Sequence, residues 1–230
     1  MRRHVRQLSP FSELLGWSHP IPIPKLHSVA NNTCPFVSRG GLKLAAALDA
    51  FSLDVTGLNC ADFGASTGGF TDCLLQHGAT CVYSIDTAYG ALAWTLRNDR
   101  RVIVLERTNV LHANPHTLEN FTGCDLITID LGWTRQRHAI PTALRWLRQN
   151  KHAKIITLIK PHYEYVDSHT LHSTKGLLSE SEAANILQHL LQDIPNFGVL
   201  VMDHIRSPIR GGGQKGGRGN VEYLALLSRA

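Results

Sequence analysis

The sequence predicts an α/β fold: a mostly parallel seven-stranded sheet with helices on both faces and a reversed last strand. Short apolar runs of strand length alternate with stretches of helical spacing, which is typical of a parallel sheet covered on both sides. A glycine-rich turn follows the first run, and charged residues follow several others. No helix separates the last two runs, so the final strand should run antiparallel to its neighbour.

The predicted elements alternate regularly along the chain. A Leu- and Ala-rich helix over residues 44–51 comes first. The predicted strands that follow cover residues 58–63, 80–86, 101–105, 125–129, 154–159, 199–203 and 221–227. The predicted helices between them cover residues 70–76, 91–98, 116–121, 140–149 and 180–193. The loop over residues 207–219 should join the last two strands as a hairpin.

Residues 1–36 differ from the rest of the chain because several prolines interrupt them and they show no clear periodicity. We therefore expect an N-terminal arm over residues 1–36 and a single domain over residues 37–230. A domain of that length can bury one large core.

Composition and charge bound the class of protein. The net charge of +5 suits a polyanionic partner, although many basic proteins bind none. The five cysteines show no C-x-x-C spacing, which indicates neither a disulfide framework nor a metal site and favours a reducing compartment. The sequence has no apolar run of membrane-spanning length and no signal-peptide pattern. We expect a cytoplasmic protein that has no metal and does not bind membranes.

The glycine-rich turn indicates a ligand site. It reads Asp62-Phe63-Gly64-Ala65-Ser66-Thr67-Gly68-Gly69-Phe70-Thr71. Glycines allow a close approach of the backbone to a ligand, and the helix that follows offers N–H groups to an anion. Because residue 66 is serine, the turn departs from the dinucleotide fingerprint, and a carboxylate-bearing cofactor fits better than a pyrophosphate. The alternative is a structural turn with a capping aspartate.

Asp86 strengthens the ligand interpretation. It ends the next predicted strand, where an acidic residue about 20 residues after the turn can accept both ribose hydroxyls of an adenosine. S-adenosylmethionine carries both an amino-acid end and a ribose. The sequence therefore predicts S-adenosylmethionine as the cofactor.

Charged residues at strand ends predict a cluster at the edge of the sheet where the glycine-rich turn lies. Asp130 and Lys160 follow predicted strands, and Glu222 lies at the beginning of the reversed strand, which starts at the same edge. The three should converge there, outside the carboxyl ends of the parallel strands. Lys43, in the first turn of its helix, opposes the helix dipole and could complete a cluster of two lysines and two acids. A structural ion-pair network is the alternative.

These residues resemble the Lys-Asp-Lys-Glu tetrad of FtsJ-like ribose 2′-O-methyltransferases. The surrounding sequence is similar to the TlyA/hemolysin-A-like rRNA methyltransferase branch, and the resemblance covers about residues 37–227. The matching words are Val37-Ser38-Arg39-Gly40-Gly41-Leu42-Lys43-Leu44, residues 62–72, Leu105-Glu106-Arg107-Thr108-Asn109, Leu158-Ile159-Lys160-Pro161 and Gly219-Asn220-Val221-Glu222-Tyr223-Leu224. The resemblance implies a Rossmann-like class I fold that uses S-adenosylmethionine.

The resemblance and the turn together give a set of expected site residues. The expected catalytic residues are Lys43, Asp130, Lys160 and Glu222. The expected cofactor-binding residues are Asp62, Gly64, Ala65, Ser66, Gly68, Gly69, Phe70, Asp86, Asn109 and Asp130. The expected RNA-binding residues are Arg39, Lys215 and Arg218.

The expected reaction is an in-line methyl transfer to a ribose hydroxyl, which needs alignment of three atoms and a base. Burial and a neighbouring ammonium favour the neutral, basic form of a lysine. We assign Lys160 as the base and Lys43 as the neighbour that steadies the oxyanion, although the sequence does not decide between the two lysines. Asp130 and Glu222 should orient them.

The chain departs from this branch at three places. The branch normally begins with an S4 RNA-binding domain, which residues 1–36 do not resemble, so a separate RNA-binding partner could replace it. Leu131-Gly132-Trp133 stands where the branch has Val-Ser-Phe, and His162-Tyr163-Glu164 stands where it has Gln-Phe-Glu. The nucleotide that the enzyme accepts is therefore open.

Three functions follow in order of preference. The first is S-adenosylmethionine-dependent ribose 2′-O-methylation of RNA, with rRNA or a ribosomal subunit as the partner. The second is methylation of a nucleobase or a small molecule. The third is a non-catalytic role, as an RNA-binding scaffold or a hemolysin-like protein.

Overall fold

The sheet and its covering helices are seen in a computed structural model that describes residues 34–164, 177–211 and 219–230. Most of the predicted N-terminal arm lies outside these ranges, as do Lys215 and Arg218. The domain boundary expected at residue 37 therefore stays a prediction.

Within the described ranges, seven strands form one sheet. The strands are β1 (Asn59–Phe63), β2 (Cys81–Ile85), β3 (Val102–Leu105), β4 (Leu126–Ile129), β5 (Lys154–Ile159), β6 (Val199–Arg206) and β7 (Tyr223–Arg229). The helices are α1 (Gly40–Ala50), α2 (Gly69–Gln76), α3 (Trp94–Arg97), α4 (Gln136–Trp146), α5 (Pro161–Glu164) and α6 (Glu180–Asp193). Short 3₁₀ turns cover Pro115–Thr117 and Ile194–Phe197.

The strand order is β3-β2-β1-β4-β5-β7-β6. Among the described strands only β7 runs in the opposite direction, antiparallel to both β5 and β6. The predicted reversal of the last strand is confirmed. β7 lies between β5 and β6 rather than at the border of the sheet, and β6 forms the edge. The register pairs Ile159 with Tyr223, so Lys160 and Glu222 leave the sheet side by side.

Two apolar clusters lie on opposite faces of the sheet, because successive strand residues point to alternate sides. On one face Phe63 packs edge-on against Trp146 of α4. On the other, Leu44 of α1 and Leu74 of α2 pack over Cys60 and Leu126. Helices therefore cover both faces, as predicted, and the central strands β1 and β4 are almost wholly buried, as in other parallel sheets.

Helix α4 begins four residues before the helix predicted from apolar spacing, because tertiary hydrogen bonds hold its first turn. The buried Gln136 side chain donates to Leu158 O at 3.2 Å and accepts from Thr157 Oγ1 at 2.7 Å. Its backbone N–H donates to Glu164 Oε1 at 2.9 Å. Polar anchoring of this kind leaves no periodic signal in the sequence.

Helix α3 is shorter than predicted. Ala93 has an extended backbone, and its N–H donates to the Thr67 carbonyl at 3.0 Å, so the helix cannot start before residue 94. In the part of the chain that the structure describes, no helix combines the length and apolar character needed to span a lipid bilayer.

Candidate active site

The turn between β1 and α2 forms one wall of the site. Gly64 has φ +85°, and a Cβ at this position would lie 2.5 Å from the carbonyl oxygen of Asp130. Glycine is therefore required for the turn to pass beside the end of β4. The Ser66 N–H donates to Asp86 Oδ2 at 2.7 Å, which ties the turn to the acid at the end of β2.

Asp62 lies beneath this turn and does not reach the ligand space. Its carboxylate is fully buried and accepts hydrogen bonds from Thr71 N at 2.9 Å, Thr71 Oγ1 at 2.7 Å and Thr128 Oγ1 at 3.0 Å. Asp62 therefore connects β1 to α2 and holds the turn, and its expected contact with the cofactor stays a prediction. Burial raises its pKa to about 7, although the Thr71 and Thr128 hydrogen bonds act in the opposite direction.

Asp62→Asn should flatten the pH dependence of stability. Because the pKa is raised in the folded protein, Asp62 stabilises the fold below its unfolded pKa, and this contribution is lost as the pH rises through about 7. Relative to the variant, the wild type should lose about 2–4 kcal/mol of unfolding free energy between about pH 4 and pH 7.5. Urea unfolding across this range measures the difference. Parallel curves for the two proteins would contradict the shifted pKa.

Lys43 and Glu222 form a buried ion pair above the turn. Lys43 Nζ lies 2.6 Å from Glu222 Oε2, and the two residues are 9% and 3% exposed. Lys43 comes from the first turn of α1, and Glu222 comes from the residue before β7. Removal of either partner would leave a buried charge uncompensated.

Lys160 and Asp130 form a second ion pair at the ends of β5 and β4. Lys160 Nζ lies 2.6 Å from Asp130 Oδ1 and also donates to Leu131 O at 3.2 Å. The side chains are 15% and 23% exposed, so this pair is more open to solvent than the first. The four residues predicted as a tetrad are thus arranged as two lysine–carboxylate pairs.

Three aromatic rings contact one another at the end of β5. The Tyr163 ring lies 5.8 Å from Lys160 Nζ and makes tilted contacts with His162 at 4.1 Å and Trp133 at 5.0 Å between centroids. Trp133 is 86% exposed. Burial and then the Lys160 charge lower the pKa of His162, so its ring is neutral near pH 7. These rings lie in the two segments, residues 131–133 and 162–164, in which the sequence differs from the TlyA/hemolysin-A-like branch.

A cavity of about 290 Å³ joins the turn to both ion pairs. The described residues that line it are Ser38, Arg39, Gly40, Lys43, Gly64, Ala65, Ser66, Thr67, Gly69, Phe70, Asp130, Ile209, Arg210 and Gly211. Lys43 belongs to the first ion pair and Asp130 to the second, so one member of each pair lines the cavity.

The other predicted cofactor residues lie around this cavity rather than along its wall. A Cβ on Gly68 would lie 2.3 Å from Leu96 and 2.8 Å from Leu92, so packing requires glycine here, and its contact with the cofactor stays a prediction. Asp86 is half-buried and accepts from the N–H groups of Ser66 and Ala88. Asn109 is exposed, and its Oδ1 accepts from Leu111 N at 3.0 Å.

The predicted RNA-binding residues are only partly placed. Arg39 is exposed and lines the cavity. Lys215 and Arg218 lie outside the described residues. Arg210 and Ile209 line the cavity without having been predicted, because their position depends on how the chain leaves β6 and turns back towards Glu222. Across the described ranges, no three His, Cys, Asp or Glu side chains are grouped so that they could hold a metal ion.

The cavity fits a small ligand that carries a carboxylate and a ribose. Its volume lies near the lower end of small-molecule sites, at about 300 Å³. Gly69 and Phe70, at the N-terminus of α2, line the cavity, and a helix N-terminus favours an anion. Asp86 accepts from the N–H of Ser66, which also lines it, and an acid at this place in the fold can bind ribose hydroxyls. Lys43 lines this space, and Lys160 contacts Asp130, which also lines it. A neutral lysine can accept a proton.

Comparisons with known proteins agree with this chemistry. The family model FtsJ-like methyltransferase matches residues 36–192. YqxC of Bacillus subtilis is 36% identical over 203 residues, which cover 87% of this chain and 68% of YqxC. The 16S/23S rRNA (cytidine-2′-O)-methyltransferase TlyA of Mycobacterium tuberculosis is 43% identical over 136 residues, or 59% of this chain. The chain matches about half of the length of that TlyA, 49%.

A solved structure from Lactococcus lactis, provisionally described as a hemolysin, has the same fold. It is 34% identical, with a TM-score of 0.75, and the match covers 86% of this chain and 90% of that one.

Proposed function

This chain belongs to the FtsJ-like methyltransferase family, and from this membership we propose that it methylates a ribose 2′-hydroxyl of RNA, with ribosomal RNA as the substrate class. The observation that carries the proposal is the pair of lysine–carboxylate contacts, Lys43–Glu222 and Lys160–Asp130, on the border of one cavity. S-adenosylmethionine is the cofactor of this family and supplies an electrophilic methyl group when bound.

The residues of the turn and of β2 would hold the cofactor. The backbone from Gly64 to Phe70 would bind its amino-acid end, Asp86 its ribose and Asn109 the edge of its adenine. The cavity supports the first assignment, because most residues from Gly64 to Phe70 line it. Asp62 would act indirectly, because it fixes the turn from below.

The ion pairs would act on the acceptor. A ribose hydroxyl that attacks a methyl carbon must give up its proton, while the pair of electrons of the broken carbon–sulfur bond goes to the sulfur. We assign Lys160 as the group that receives the proton, because its partner Asp130 lines the cavity and lies against Gly64 of the turn, where the methyl donor is expected. Lys43, held by Glu222, would stabilise the developing oxyanion, and Asp130 would orient Lys160.

Methyl transfer from labelled S-adenosylmethionine tests the proposal directly. Ribosomal RNA from cells that lack this protein is incubated with the purified chain and digested to nucleosides. We expect the label in a 2′-O-methylated nucleoside. Label on a base, or no transfer to any RNA, would contradict the proposal.

A different acceptor is the second candidate, and one observation favours it. The exposed Trp133 and the His162 ring contact Tyr163, whose ring lies 5.8 Å from Lys160 Nζ, and all three lie in segments that differ from the TlyA/hemolysin-A-like branch. An aromatic surface of this kind can stack against any flat ring, including a base that is itself methylated. The same nucleoside digestion distinguishes base methylation from ribose methylation.

A further inference from the structure

A second group of charged residues lies beside the cavity, apart from the two ion pairs. Arg206 at the end of β6 lies 2.7 Å from Glu180 at the start of α6, and Arg210 forms an ion pair with the same carboxylate. The side chains of Arg206, Glu180 and Arg210 are 50%, 57% and 42% exposed. Two guanidinium groups therefore share one carboxylate at a solvent-exposed surface, which leaves an excess of positive charge there.

Arg210 is fixed from two directions. Glu180 holds one end of its guanidinium group, and Nη1 donates to the carbonyl of Gly219 at 3.2 Å. The N–H of the neighbouring Gly211 donates to Asn220 O at 3.0 Å, so the backbone next to Arg210 is also held by a hydrogen bond. Arg210 is therefore oriented before any ligand binds, which lowers the entropic cost of using it for recognition.

The position of Arg210 relates it to the methyl acceptor. Arg210 and Gly211 line the cavity, and a Cβ on Gly211 would lie 1.9 Å from the Glu222 carboxylate. This segment thus lies directly against the partner of Lys43. The N-terminus of α2, where the cofactor's carboxylate is expected, belongs to a different part of the wall.

We propose that Arg210, positioned by Glu180, binds a backbone phosphate of the RNA next to the ribose that is methylated. The proposal rests on the proposed function and adds a binding residue to it. A guanidinium group matches the oxygens of a phosphate with two parallel hydrogen bonds. Arg210 can stay on Glu180 and Gly219 while its remaining N–H donors bind the phosphate, because a guanidinium group has five such donors.

The salt dependence of RNA binding tests the proposal. The wild type and Arg210→Ala are titrated with a fluorescein-labelled single-stranded RNA at several KCl concentrations. Loss of one phosphate contact should raise the Kd about tenfold at low salt and reduce the slope of log K against log salt by about 0.7. Arg210→Lys should recover the slope but only part of the affinity.

Two further variants distinguish the effect of the position of Arg210 from the effect of the protein's net charge. Arg101→Ala removes an arginine of similar exposure, 45%, that pairs with Asp99 before β3, and it should leave the Kd unchanged. Glu180→Ala adds net positive charge but releases Arg210. If placement matters, its KM for rRNA in the methyl-transfer assay should rise severalfold with little change in kcat. Tighter RNA binding by Glu180→Ala would overturn the positioning role.

The outcomes also distinguish this inference from the proposed function. Methyl transfer by the wild type with an unchanged Kd and slope for Arg210→Ala would overturn the phosphate contact alone. A loss of S-adenosylmethionine affinity in Arg210→Ala, measured by calorimetry without RNA, would assign the arginine to the cofactor's carboxylate and also overturn it. Absence of methyl transfer by the wild type would instead refute the proposed function.

Discussion

Lys160→Met is expected to lower the kcat of methyl transfer by about a thousandfold, within the range of about 10²–10⁴ attributed to a positioned base. The side chain of methionine keeps the length of the lysine stem but cannot accept a proton. It also leaves Asp130 without the ammonium that lies 2.6 Å away. Single-turnover transfer from labelled S-adenosylmethionine to rRNA measures the rate, and calorimetry checks that the cofactor still binds.

Lys154→Met is the matched control, because Lys154 lies on the same strand at its opposite end. Its Nζ donates to Lys151 O at 2.7 Å, away from the cavity. This variant should keep wild-type kcat. Equal rates for Lys160→Met and Lys154→Met would refute the role of Lys160. A loss confined to Lys43→Met would assign the proton transfer to the other lysine.

Gly64→Ala is expected to abolish cofactor binding and to destabilise the fold. The new Cβ would lie 2.5 Å from the Asp130 carbonyl oxygen, and the φ of +85° would be strained for alanine. The left-handed backbone alone costs about 1–2 kcal/mol. Displacement of the turn from the end of β4 adds to this cost, and we expect a total of about 3 kcal/mol or more.

Gly57→Ala isolates the backbone component. Gly57 has φ +76°, but nothing lies within 4 Å of its Cβ position. This variant should lose only about 1–2 kcal/mol in urea unfolding and bind S-adenosylmethionine normally. If Gly64→Ala is no less stable than Gly57→Ala and binds the cofactor, the close approach of the turn to β4 does not shape the site.

Much of the fold follows from the sequence because its signals are local. Apolar runs predict the strands, and the missing helix before residue 221 predicts the reversal of β7. The ends of α3 and α4 do not follow, because Ala93 and Gln136 are fixed by contacts with distant residues. The short α5 also has no periodic signal, since it spans a single turn.

Part of the site can be predicted from a simple rule: the carboxyl ends of parallel strands lie at the same edge of the sheet. That rule predicts the convergence of Asp130, Lys160 and Glu222, and the structure brings them together with Lys43 in two ion pairs. The roles of these residues stay proposals. For Asp62 the rule gives the position along the strand but not the direction of the carboxylate, which accepts hydrogen bonds from Thr71 and Thr128 in the buried interior.

Arg210 could not be predicted from the residues around it. Its position depends on β6 continuing to Arg206 and on the pairing of Gly211 with Asn220, which are contacts between separate segments. The only local signal is a basic residue before a glycine-rich loop, and such loops usually serve as flexible connectors.

The insertion of β7 between β5 and β6 bears on the order in which the two sides of the cavity form. The Lys43–Glu222 contact joins residues 179 positions apart, and Glu222 reaches Lys43 only after β7 has taken its place. Contacts of such long range form late, because the entropy of closing the intervening chain must be overcome first. We therefore expect the local contacts of the glycine turn to form before the Lys43–Glu222 pair, so that the acceptor side of the cavity is completed later than the cofactor side.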